Sequence, residues 1–424
     1  MLTHFTPEQL KDPAVAEADD ILRACVHCGF CTATCPTFHI RGDELDSPRG
    51  RIMLIKEMHE KGGDPGAAVV KHLDRCLTCL SCMTTCPSGV DYMHLVEGAR
   101  DKIEASPGAR SPMQRTTRRL LALMLTSRPL FRWSMRFAGL AKPFAGLLPK
   151  QLGRLVTKAP GLSASPVRPG TYPAEGERKA RVALLTGCAQ SVSGDQINQA
   201  AIRLLTRHGA EVVVAAAPCC GALPLHMGQQ DRARALAAAT IDGWWRETAE
   251  GGGAGLDAIV ITTSGCGTSI KDYGHLFPGD AKAARIAGLA LDVSEWMERV
   301  GLHTPAAPTG QRVAYHAACS LQHGQKQRTA PQKLLRAAGF IPLEVADGHF
   351  CCGSAGTYNI LQPDLADGLK TRKQANISKT QPEWVATGNL GCILQLTDGL
   401  EFPVVHTVQL LDWATGGPRP EGVA

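Results

Sequence analysis

The chain has 424 residues, of which 44% are hydrophobic and 20% charged, so it is long enough for two or three domains with separate cores. This composition excludes a disordered polymer, and no stretch reaches the roughly 18 apolar residues that a membrane-spanning helix needs. The N-terminus has neither the basic region nor the apolar region that directs export, so we expect a cytoplasmic protein. Sixteen cysteines in such a protein indicate metal or redox sites rather than disulfides.

Basic charge is concentrated in one segment. The net charge is +6, yet residues 105–174 contain twelve Lys or Arg and no acidic residue, which leaves the rest of the chain at −6. Within the segment, Phe131, Trp133 and Phe137 alternate with arginines, a pattern typical of an amphipathic helix at a membrane interface or an acidic partner surface. A helix that packs its apolar stripe on the protein's own domains fits equally well. Basic charge without a recognisable binding module is weak support for nucleic-acid binding, and we expect none.

Eight cysteines form two copies of one pattern. Each copy reads C-x2-C-x2-C-x3-C-P, first at Cys25, Cys28, Cys31 and Cys35, then at Cys76, Cys79, Cys82 and Cys86. In two-cluster ferredoxins this spacing lets three cysteines of one loop bind one [4Fe–4S] cluster while the fourth binds the other. We therefore predict two [4Fe–4S] clusters, one on Cys25, Cys28, Cys31 and Cys86, the other on Cys76, Cys79, Cys82 and Cys35. Tetrahedral zinc also uses C-x2-C pairs, but it gives no reason for the third evenly spaced cysteine or for the proline.

The residues around these motifs predict helices. Glu17–Ala24 leads into the first motif, and Ser47 followed by Pro48 has the form of an N-cap and a first-turn proline. An apolar stripe follows at helical spacing and should end near Gly62. Residues 1–100 are therefore expected to form a mainly helical ferredoxin domain. The basic amphipathic segment and a Pro/Gly/Ser linker should occupy residues 101–178.

From residue 179 onwards the sequence repeats itself. Strands are predicted at 181–186, 211–215 and 258–262 in the first copy, and at 312–315, 341–345 and 384–386 in the second. Helical stretches separate the strands of the first copy, so each copy is interpreted as an α/β domain with a parallel sheet, the first over 179–308 and the second over 309–424. The predicted architecture is thus multidomain, a mainly helical two-cluster domain followed by two α/β cysteine-rich domains.

Each repeat carries four cysteines just after predicted strand ends, where open α/β sheets place their ligands. They are Cys188, Cys219, Cys220 and Cys266 in the first copy, and Cys319, Cys351, Cys352 and Cys392 in the second. The repeated Cys-Cys-Gly favours a further metal–sulfur or thiol-redox site over cysteines that act as small hydrophobic residues. The spacing does not decide between a cluster, zinc and no ligand. Structural roles are expected for His226 and His316, which lie nearby in the sequence.

Two common cofactor fingerprints are missing from the sequence. There is no G-x-G-x-x-G and no G-x4-G-K-[ST], so neither a dinucleotide site nor a P-loop is indicated. A chain with two clusters and no hydride acceptor can carry electrons but needs another subunit to extract them from a substrate. No catalytic residue is therefore predicted in this chain.

Two ferredoxin motifs followed by two Cys-Cys-Gly domains resemble the iron–sulfur subunits of glycolate oxidase and of anaerobic glycerol-3-phosphate dehydrogenase, and more distantly heterodisulfide reductases. Residues 35–51 and 313–323 are most similar to the glycolate oxidase subunit. The resemblance implies a flavoprotein partner that oxidises glycolate to glyoxylate. It further implies that this chain passes the electrons towards membrane quinone or another acceptor, from a peripheral position on the inner face of the cytoplasmic membrane.

The sequence departs from the heterodisulfide reductase pattern at one position in each repeat. Those enzymes end each Cys-Cys-Gly unit in C-x-x-C, whereas Thr263 and Asn389 replace the first cysteine of that pair here, leaving Cys266 and Cys392. The departure counts against the unusual clusters of those enzymes and against a disulfide-reducing activity.

Overall fold

The computed structural model describes residues 1–148, 153, 156, 157, 159–163, 165–306 and 310–421. The chain folds into two compact units. The first unit consists of Met1–Ala122, Leu223–Arg232 and His349–Lys373, and the second of Leu123–Ala222, Ala233–Gly348 and Gln374–Ala424. The four consecutive domains expected from the sequence stay a prediction.

The N-terminal part of the first unit is helical, as the sequence predicts. Its α-helices are Pro13–Ala24, Pro36–Arg41, Pro48–Lys61, Ala67–Asp74, Ser81–Thr85 and Tyr92–Ala105, with short 3-10 helices at Gln9–Lys11, Phe30–Thr32 and Glu44–Asp46. Their buried faces share one core that includes Leu22, Ile55, Leu73, Val96 and Ile103. Burial of each such side chain contributes about 1.5–3 kcal/mol to folding.

Local sequence signals set the ends of these helices. The Ser47 side chain accepts a hydrogen bond from the Gly50 amide at 3.0 Å, and Pro48 occupies the first turn. The helix ends at Gly62, whose φ of 65° lies in the left-handed region, as expected from the sequence. The helix predicted at Glu17–Ala24 begins earlier, at Pro13, because the Asp12 carboxylate caps the Ala14 amide.

The second unit contains two sheets. Sheet one has strands β1 (Gly170–Tyr172), β2 (Ala180–Leu185), β3 (Ala210–Val214), β4 (Ala258–Ile261) and β5 (Ala290–Asp292), in the order β1-β3-β2-β4-β5. Sheet two has β6 (Arg312–Tyr315), β7 (Ile341–Leu343), β8 (Trp384–Thr387) and β9 (Val404–His406), in the order β7-β6-β8-β9. All pairings are parallel except β1 with β3, which are antiparallel. The parallel α/β repeats predicted from the sequence are therefore confirmed.

Three of these strands were not predicted. β1 lies in the stretch expected to be a linker, and its antiparallel pairing covers the edge of β3. β5 and β9 are three-residue strands that lead directly into helices, so they are too short to give a period-2 pattern.

The remaining α-helices complete both units. They are Pro112–Thr126, Arg128–Ala141, Gln190–Ser193, Asp195–Arg207, Ala222–His226, Gln230–Trp245, Ser264–Lys271, Tyr273–Leu276, Ala281–Leu289, Val293–Val300, Ala330–Ala337, Tyr358–Leu361, Pro363–Ser378, Leu390–Thr397 and Thr407–Ala414. A 3-10 helix spans Lys142–Leu147 and a π-helix spans Ser320–Gly324. In the part of the chain that the structure describes, no helix combines the length and the apolar character needed to cross a membrane.

The strand order places cysteines at the switch point of each sheet. In β3-β2-β4-β5, the chain leaves β2 in one direction and returns to β4 on its other side, so a crevice opens at the carboxyl ends of β2 and β4. Cys188 follows β2 and Cys266 follows β4. Sheet two repeats the arrangement, with Cys319 after β6 and Cys392 after β8.

Candidate metal centres

The loops of the two cysteine motifs share two left-handed backbone positions. Both have left-handed residues at matching positions, His27 and Gly29 in the first loop, Thr78 and Leu80 in the second. Only one of these four residues is a glycine, and a left-handed conformation costs other residues about 1–3 kcal/mol. Such strain persists where a loop is shaped around a ligand.

The two loops bring the eight cysteines to two neighbouring hollows. Cys25, Cys28, Cys31 and Cys86 line the first, of about 440 Å³ including open solvent at its mouth. Cys35, Cys76, Cys79 and Cys82 line the second, of about 300 Å³ on the same measure. Cys82 and Tyr92 line both hollows. The grouping parallels the predicted crossed ligand sets, in which each motif gives its fourth cysteine to the other site.

The donor chemistry fits an iron–sulfur cluster in each hollow. All eight thiols are free cysteines. Burial and the neighbouring Cys25 raise the pKa of Cys31 to about 11, and burial with Cys79 and Cys76 raises the pKa of Cys82 further above its ordinary value. Thiolates crowded in this way repel one another unless cationic metal ions lie between them.

The second site differs from the first in its buried positive charge. Burial raises the pKa of Cys76, but Arg51 and Arg100 outweigh burial and hold that pKa below the ordinary value of a thiol. Arg100 also fixes the loop, because its guanidinium donates to the Cys76 carbonyl at 2.6 Å and to Thr78 Oγ1 at 2.6 Å. The four cysteines around the second hollow are all buried, whereas Cys28 of the first is exposed.

Three charged residues around the second site were not predicted from the sequence. They are Arg51, Arg100 and Asp46. A signal for Arg51 is its place four residues before Ile55, on the buried side of an amphipathic helix. A charged residue at such a position needs partners inside the protein. Arg100 gives the same signal, because it follows the buried Val96 by four residues.

The four cysteines of the first repeat also come together. The Sγ atoms of Cys188 and Cys219 are 3.6 Å apart, Cys219 contacts Cys220, and Cys220 contacts Cys266. The Cys188 contact lowers the pKa of Cys219, but Cys220 and burial raise it more, to about 12. Cys219 is thus a neutral thiol unless a metal ion replaces its proton.

Hydrogen bonds hold the Cys-Cys backbone of this repeat in place. Tyr273 donates to the Cys220 carbonyl at 2.9 Å, and Thr240 donates to the Cys219 carbonyl at 2.8 Å. Thr263, which stands where the heterodisulfide reductase pattern has cysteine, donates to Gln190 Oε1 at 2.7 Å. The hydroxyl is therefore used in a structural network beside the thiols.

The cysteines of the second repeat have local partners within their own units. Cys351 Sγ accepts from the Gly353 amide at 3.4 Å, and Cys392 Sγ accepts from the Asn389 side chain at 3.5 Å. His316 is buried, and its backbone amide donates to Ala386 of β8. His226 pairs with Glu97 at 3.1 Å, which fits the structural role expected for it.

Two arginines of the basic segment form buried ion pairs within the first unit. Arg110 binds Asp74 at 2.7 Å, and Arg118 binds Glu104 at 2.7 Å, with both arginines buried. These two charges are therefore not available to a partner, whereas Arg119 of the helix Pro112–Thr126 is exposed.

Comparison with known proteins agrees with this geometry. A 4Fe-4S dicluster domain matches residues 21–90, and a cysteine-rich domain matches residues 182–271 and 313–397. The glycolate oxidase iron-sulfur subunit of Escherichia coli is 40% identical over 98% of this chain and 99% of its own length. The chain belongs to the glycolate oxidase iron–sulfur subunit family.

One further relative and one solved structure are similar to this chain. A probable glycolate oxidase iron-sulfur subunit of Bacillus subtilis is 32% identical over 92% of this chain and 94% of its own length. A crystal structure of a hypothetical protein from Helicobacter pylori shares the fold, with a TM-score of 0.54 and 7% identity over 96% of this chain and 73% of that one. This protein is accordingly an iron–sulfur electron-transfer subunit with two cysteine-rich domains.

Proposed function

We propose that this chain carries electrons for a glycolate oxidase through two [4Fe–4S] clusters. The observation that supports it most is the grouping of eight free cysteines around two hollows with a common wall at Cys82 and Tyr92. Bound there, the clusters supply one-electron carriers. The first site would use Cys25, Cys28, Cys31 and Cys86, and the second Cys35, Cys76, Cys79 and Cys82.

The exposure of the motif cysteines differs between the two sites, which bears on where electrons enter and on how water is excluded. Cys28 is exposed at the mouth of the first hollow, which suits the entry of electrons from a partner subunit. The second hollow is lined by buried thiols, which keeps water from the inner site. We infer that electrons enter at the first site and leave from the second.

The partner we propose is a flavoprotein subunit. Oxidation of glycolate to glyoxylate removes two electrons and two protons from the substrate, and a flavin can take both electrons before passing them on singly. The sequence has no dinucleotide fingerprint of its own, which agrees with a substrate site on another chain. Membrane quinone is the proposed final acceptor, and glycerol 3-phosphate is the alternative substrate of the complex.

Substitution of one inner ligand tests the cluster assignment. Cys79→Ser should lower the cluster iron and sulfide of anaerobically prepared protein from about eight of each per chain to about four, because the second site loses a thiolate. Ser81→Ala, in the same loop, is the matched control and should keep the full content. EPR of the reduced protein should show one cluster signal lost in the first variant only.

Zinc in place of iron, or unchanged cluster content in Cys79→Ser, would refute the assignment of the clusters to these cysteines.

The substrate is tested on the complex with its co-purifying flavin chain. Glycolate should bleach the cluster absorbance without added reductant, and bleaching by glycerol 3-phosphate alone would favour the alternative.

We further propose that Cys188, Cys219, Cys220 and Cys266 hold another metal–sulfur site. Four thiols, each in contact with the next, beside a sheet switch point support it. Metal in excess of the two clusters, lost in Cys220→Ser but retained in Thr263→Ala, is the expected result. Equal metal content in both variants would contradict it.

An exposed apolar stripe supports a membrane location. Along the helix Arg128–Ala141 and the turn after it, large apolar residues recur on one side of the chain and are exposed, from Trp133 at 57% to Leu147 at 85%. Phe131 on the other side is buried, and Arg128 donates to Ala217 O at 3.0 Å, which holds the helix on sheet one. This exposure supports an outside partner for the stripe over the alternative in which the whole stripe packs on the protein's own domains.

The charges beside the stripe favour an anionic lipid surface as its partner. Arg136 lies 5.8 Å from the Trp133 ring, and Arg132 and Lys142 flank the same stripe without an acidic neighbour in the sequence. Aromatic residues at the headgroup level and arginines on the phosphates are the usual combination at a membrane interface.

Vesicle binding tests the membrane proposal. Phe137→Ser with Leu140→Ser should weaken binding to phosphatidylglycerol vesicles roughly tenfold or more, because several buried methylene groups are lost. Ile341→Ser, an equally apolar change at a half-exposed strand position, is the control and should bind normally. Binding that is unaffected by the stripe, or equally strong on phosphatidylcholine, would exclude this role.

A further inference from the structure

One arginine lines each of the two hollows, but in different surroundings. Arg49 lines the first hollow and Arg51 the second. The Arg49 side chain is 36% exposed and its Nε lies 2.6 Å from Glu44. Arg51 is only 1% exposed. Solvent and Glu44 therefore screen the charge at the first site, whereas the charge at the second is enclosed in protein.

Three hydrogen bonds fix the Arg51 guanidinium against the second site. Its Nε donates to the His72 carbonyl at 2.7 Å and one Nη donates to Thr37 Oγ1 at 3.0 Å. The other Nη lies 3.9 Å from Cys35 Sγ. The positive charge is thus held within contact distance of a sulfur atom that the proposed cluster would use.

The carboxylate nearest to Arg51 is shared with other groups. Asp46 is fully buried and lies 2.9 Å from Arg75, 2.8 Å from His72 and 3.5 Å from Arg51. One negative charge among at least two guanidinium groups leaves an excess of positive charge beside the thiols. The longest of the three contacts is the one to Arg51.

Neutral donors add to the same effect. Tyr92 OH lies 3.6 Å from Cys76 Sγ, and the Thr78 amide lies 3.4 Å from the same sulfur. Hydrogen bonds to ligand sulfurs raise the reduction potential of a cluster, because they stabilise the added electron.

From these contacts we propose that Arg51 raises the reduction potential of the cluster on Cys35, Cys76, Cys79 and Cys82, and so makes it the better electron acceptor of the two. Reduction adds one negative charge to a cluster, and a fixed positive charge a few ångströms away in low-dielectric surroundings lowers the free energy of the reduced form. Arg51 does not exchange electrons itself. It is a positioning residue that acts on the cluster through its fixed positive charge. The inference rests on the proposed electron-transfer function.

Burial by itself lowers the reduction potential of the cluster at the second site. Surroundings without water disfavour an added charge, so the second cluster without Arg51 would be the harder one to reduce. The enclosed guanidinium offsets that cost. The same enclosure that removes water therefore makes Arg51 effective, while the exposed Arg49 has little influence on the first cluster.

Redox titration of the anaerobic holoprotein, followed by EPR, tests the proposal. In Arg51→Gln one of the two cluster transitions should move so that its ratio of reduced to oxidised cluster at a fixed potential falls about tenfold, a shift of about 59 mV for a one-electron couple. The transition of the other cluster should not move. Arg49→Gln is the matched control and should leave both transitions within a fraction of that shift.

Two milder variants keep the proposal testable if Arg51→Gln does not fold. Arg51→Lys retains the charge and should restore most of the potential of the affected cluster. Tyr92→Phe removes one hydroxyl near Cys76 and should lower the same transition by a smaller amount. Cys28→Ser identifies the first cluster, since its EPR signal alone should change.

The outcomes separate this inference from the proposed function. A protein without iron and sulfide would overturn both. Two intact clusters whose potentials are equal to wild type in Arg51→Gln and Tyr92→Phe would overturn only the inference. Equal displacement of both transitions in Arg51→Gln would also contradict it, because the charge would then act without preference for the second site.

Discussion

At the scale of single residues, His406 shows how the second unit depends on a neutral buried imidazole. The side chain is fully buried at the end of β9. Its Nδ1 accepts from the Val408 amide at 3.0 Å, and Nε2 donates to the Thr262 carbonyl after β4 at 2.7 Å. Burial lowers the pKa of His406 to about 4. Protonation of Nδ1 would remove the acceptor for the Val408 amide, so the imidazole makes both hydrogen bonds only in its neutral form.

This predicts acid sensitivity in a defined pH window. A histidine has a pKa of about 6.5 in the unfolded chain, so its stabilising contribution is complete above that pH and is lost as pH falls towards 4. Between pH 7.5 and 5 the free energy of unfolding should fall by about 2 kcal/mol through this residue. Denaturant titrations across that range measure the loss. His406→Asn should flatten the dependence, and His4→Asn, at an exposed position, should not.

The residues that bind metal and the residues that tune it differ in how well a sequence reveals them. The eight motif cysteines are visible from spacing alone, because a loop around one cluster constrains neighbours in the chain. Arg51 acts through Thr37, His72 and Asp46, which lie on three other elements. Such a contact set is created by folding, and only the position of a charge on a buried helix face hints at it.

At the scale of elements, each repeat has a glycine at the equivalent position, directly after its Cys-Cys pair. Gly221 and Gly353 have φ values of +82° and +87°. A Cβ would lie 2.6 Å from the Ala233 carbonyl at the first position and 2.5 Å from the Ala366 carbonyl at the second. Glycine is therefore needed both for the backbone angle and for the close approach of the helices Gln230–Trp245 and Pro363–Ser378.

Substitution at the first of these turns should destabilise its repeat. Gly221→Ala combines an unfavourable φ with a backbone clash, so we expect a loss of roughly 1–3 kcal/mol in the free energy of unfolding. Gly265→Ala is the matched control, because the nearest atom to its Cβ would be Ser320 Oγ at 3.9 Å. Thermal unfolding of both variants measures the difference. A loss of equal size in both would contradict the account.

Strands and helices were predicted with unequal success for a physical reason. The central strands β2, β3 and β4 are apolar runs between turn residues, so their sequences identify them. The edge strand β1 has no such run, since only its pairing with β3 defines it. The helix Pro48–Lys61 was recognisable because capping residues act within a few positions in the chain.

At the scale of the whole molecule, the first unit is assembled from distant parts of the chain. Arg100 donates to the His226 carbonyl at 3.1 Å, and Arg118 donates to the Met227 carbonyl at 3.1 Å. Tyr358 donates to the Arg75 carbonyl, next to Cys76, at 2.9 Å. These bonds connect the N-terminal part of the unit with segments more than 100 residues away, which no local pattern could predict.

A fragment that ends at residue 178 should therefore be a poor cluster protein. It contains all eight motif cysteines but lacks 223–232 and 349–373, which leaves the buried guanidinium of Arg100 without one of its partners. We expect fewer clusters per chain and a lower unfolding temperature than in the full protein. Co-expression of residues 179–424 should restore part of the loss. A fragment as stable and as iron-rich as the full chain would contradict this view.

The discontinuous first unit has a consequence for biosynthesis. The motif cysteines leave the ribosome well before residues 223–232 and 349–373, because they precede both segments in the chain. While the intervening residues are translated, Arg100 and Arg75 beside the motif thiols consequently lack their bonds to His226 and Tyr358. Delivery of iron and sulfide to this polypeptide is expected to be a late, post-translational event rather than one that accompanies synthesis of the cysteine motifs.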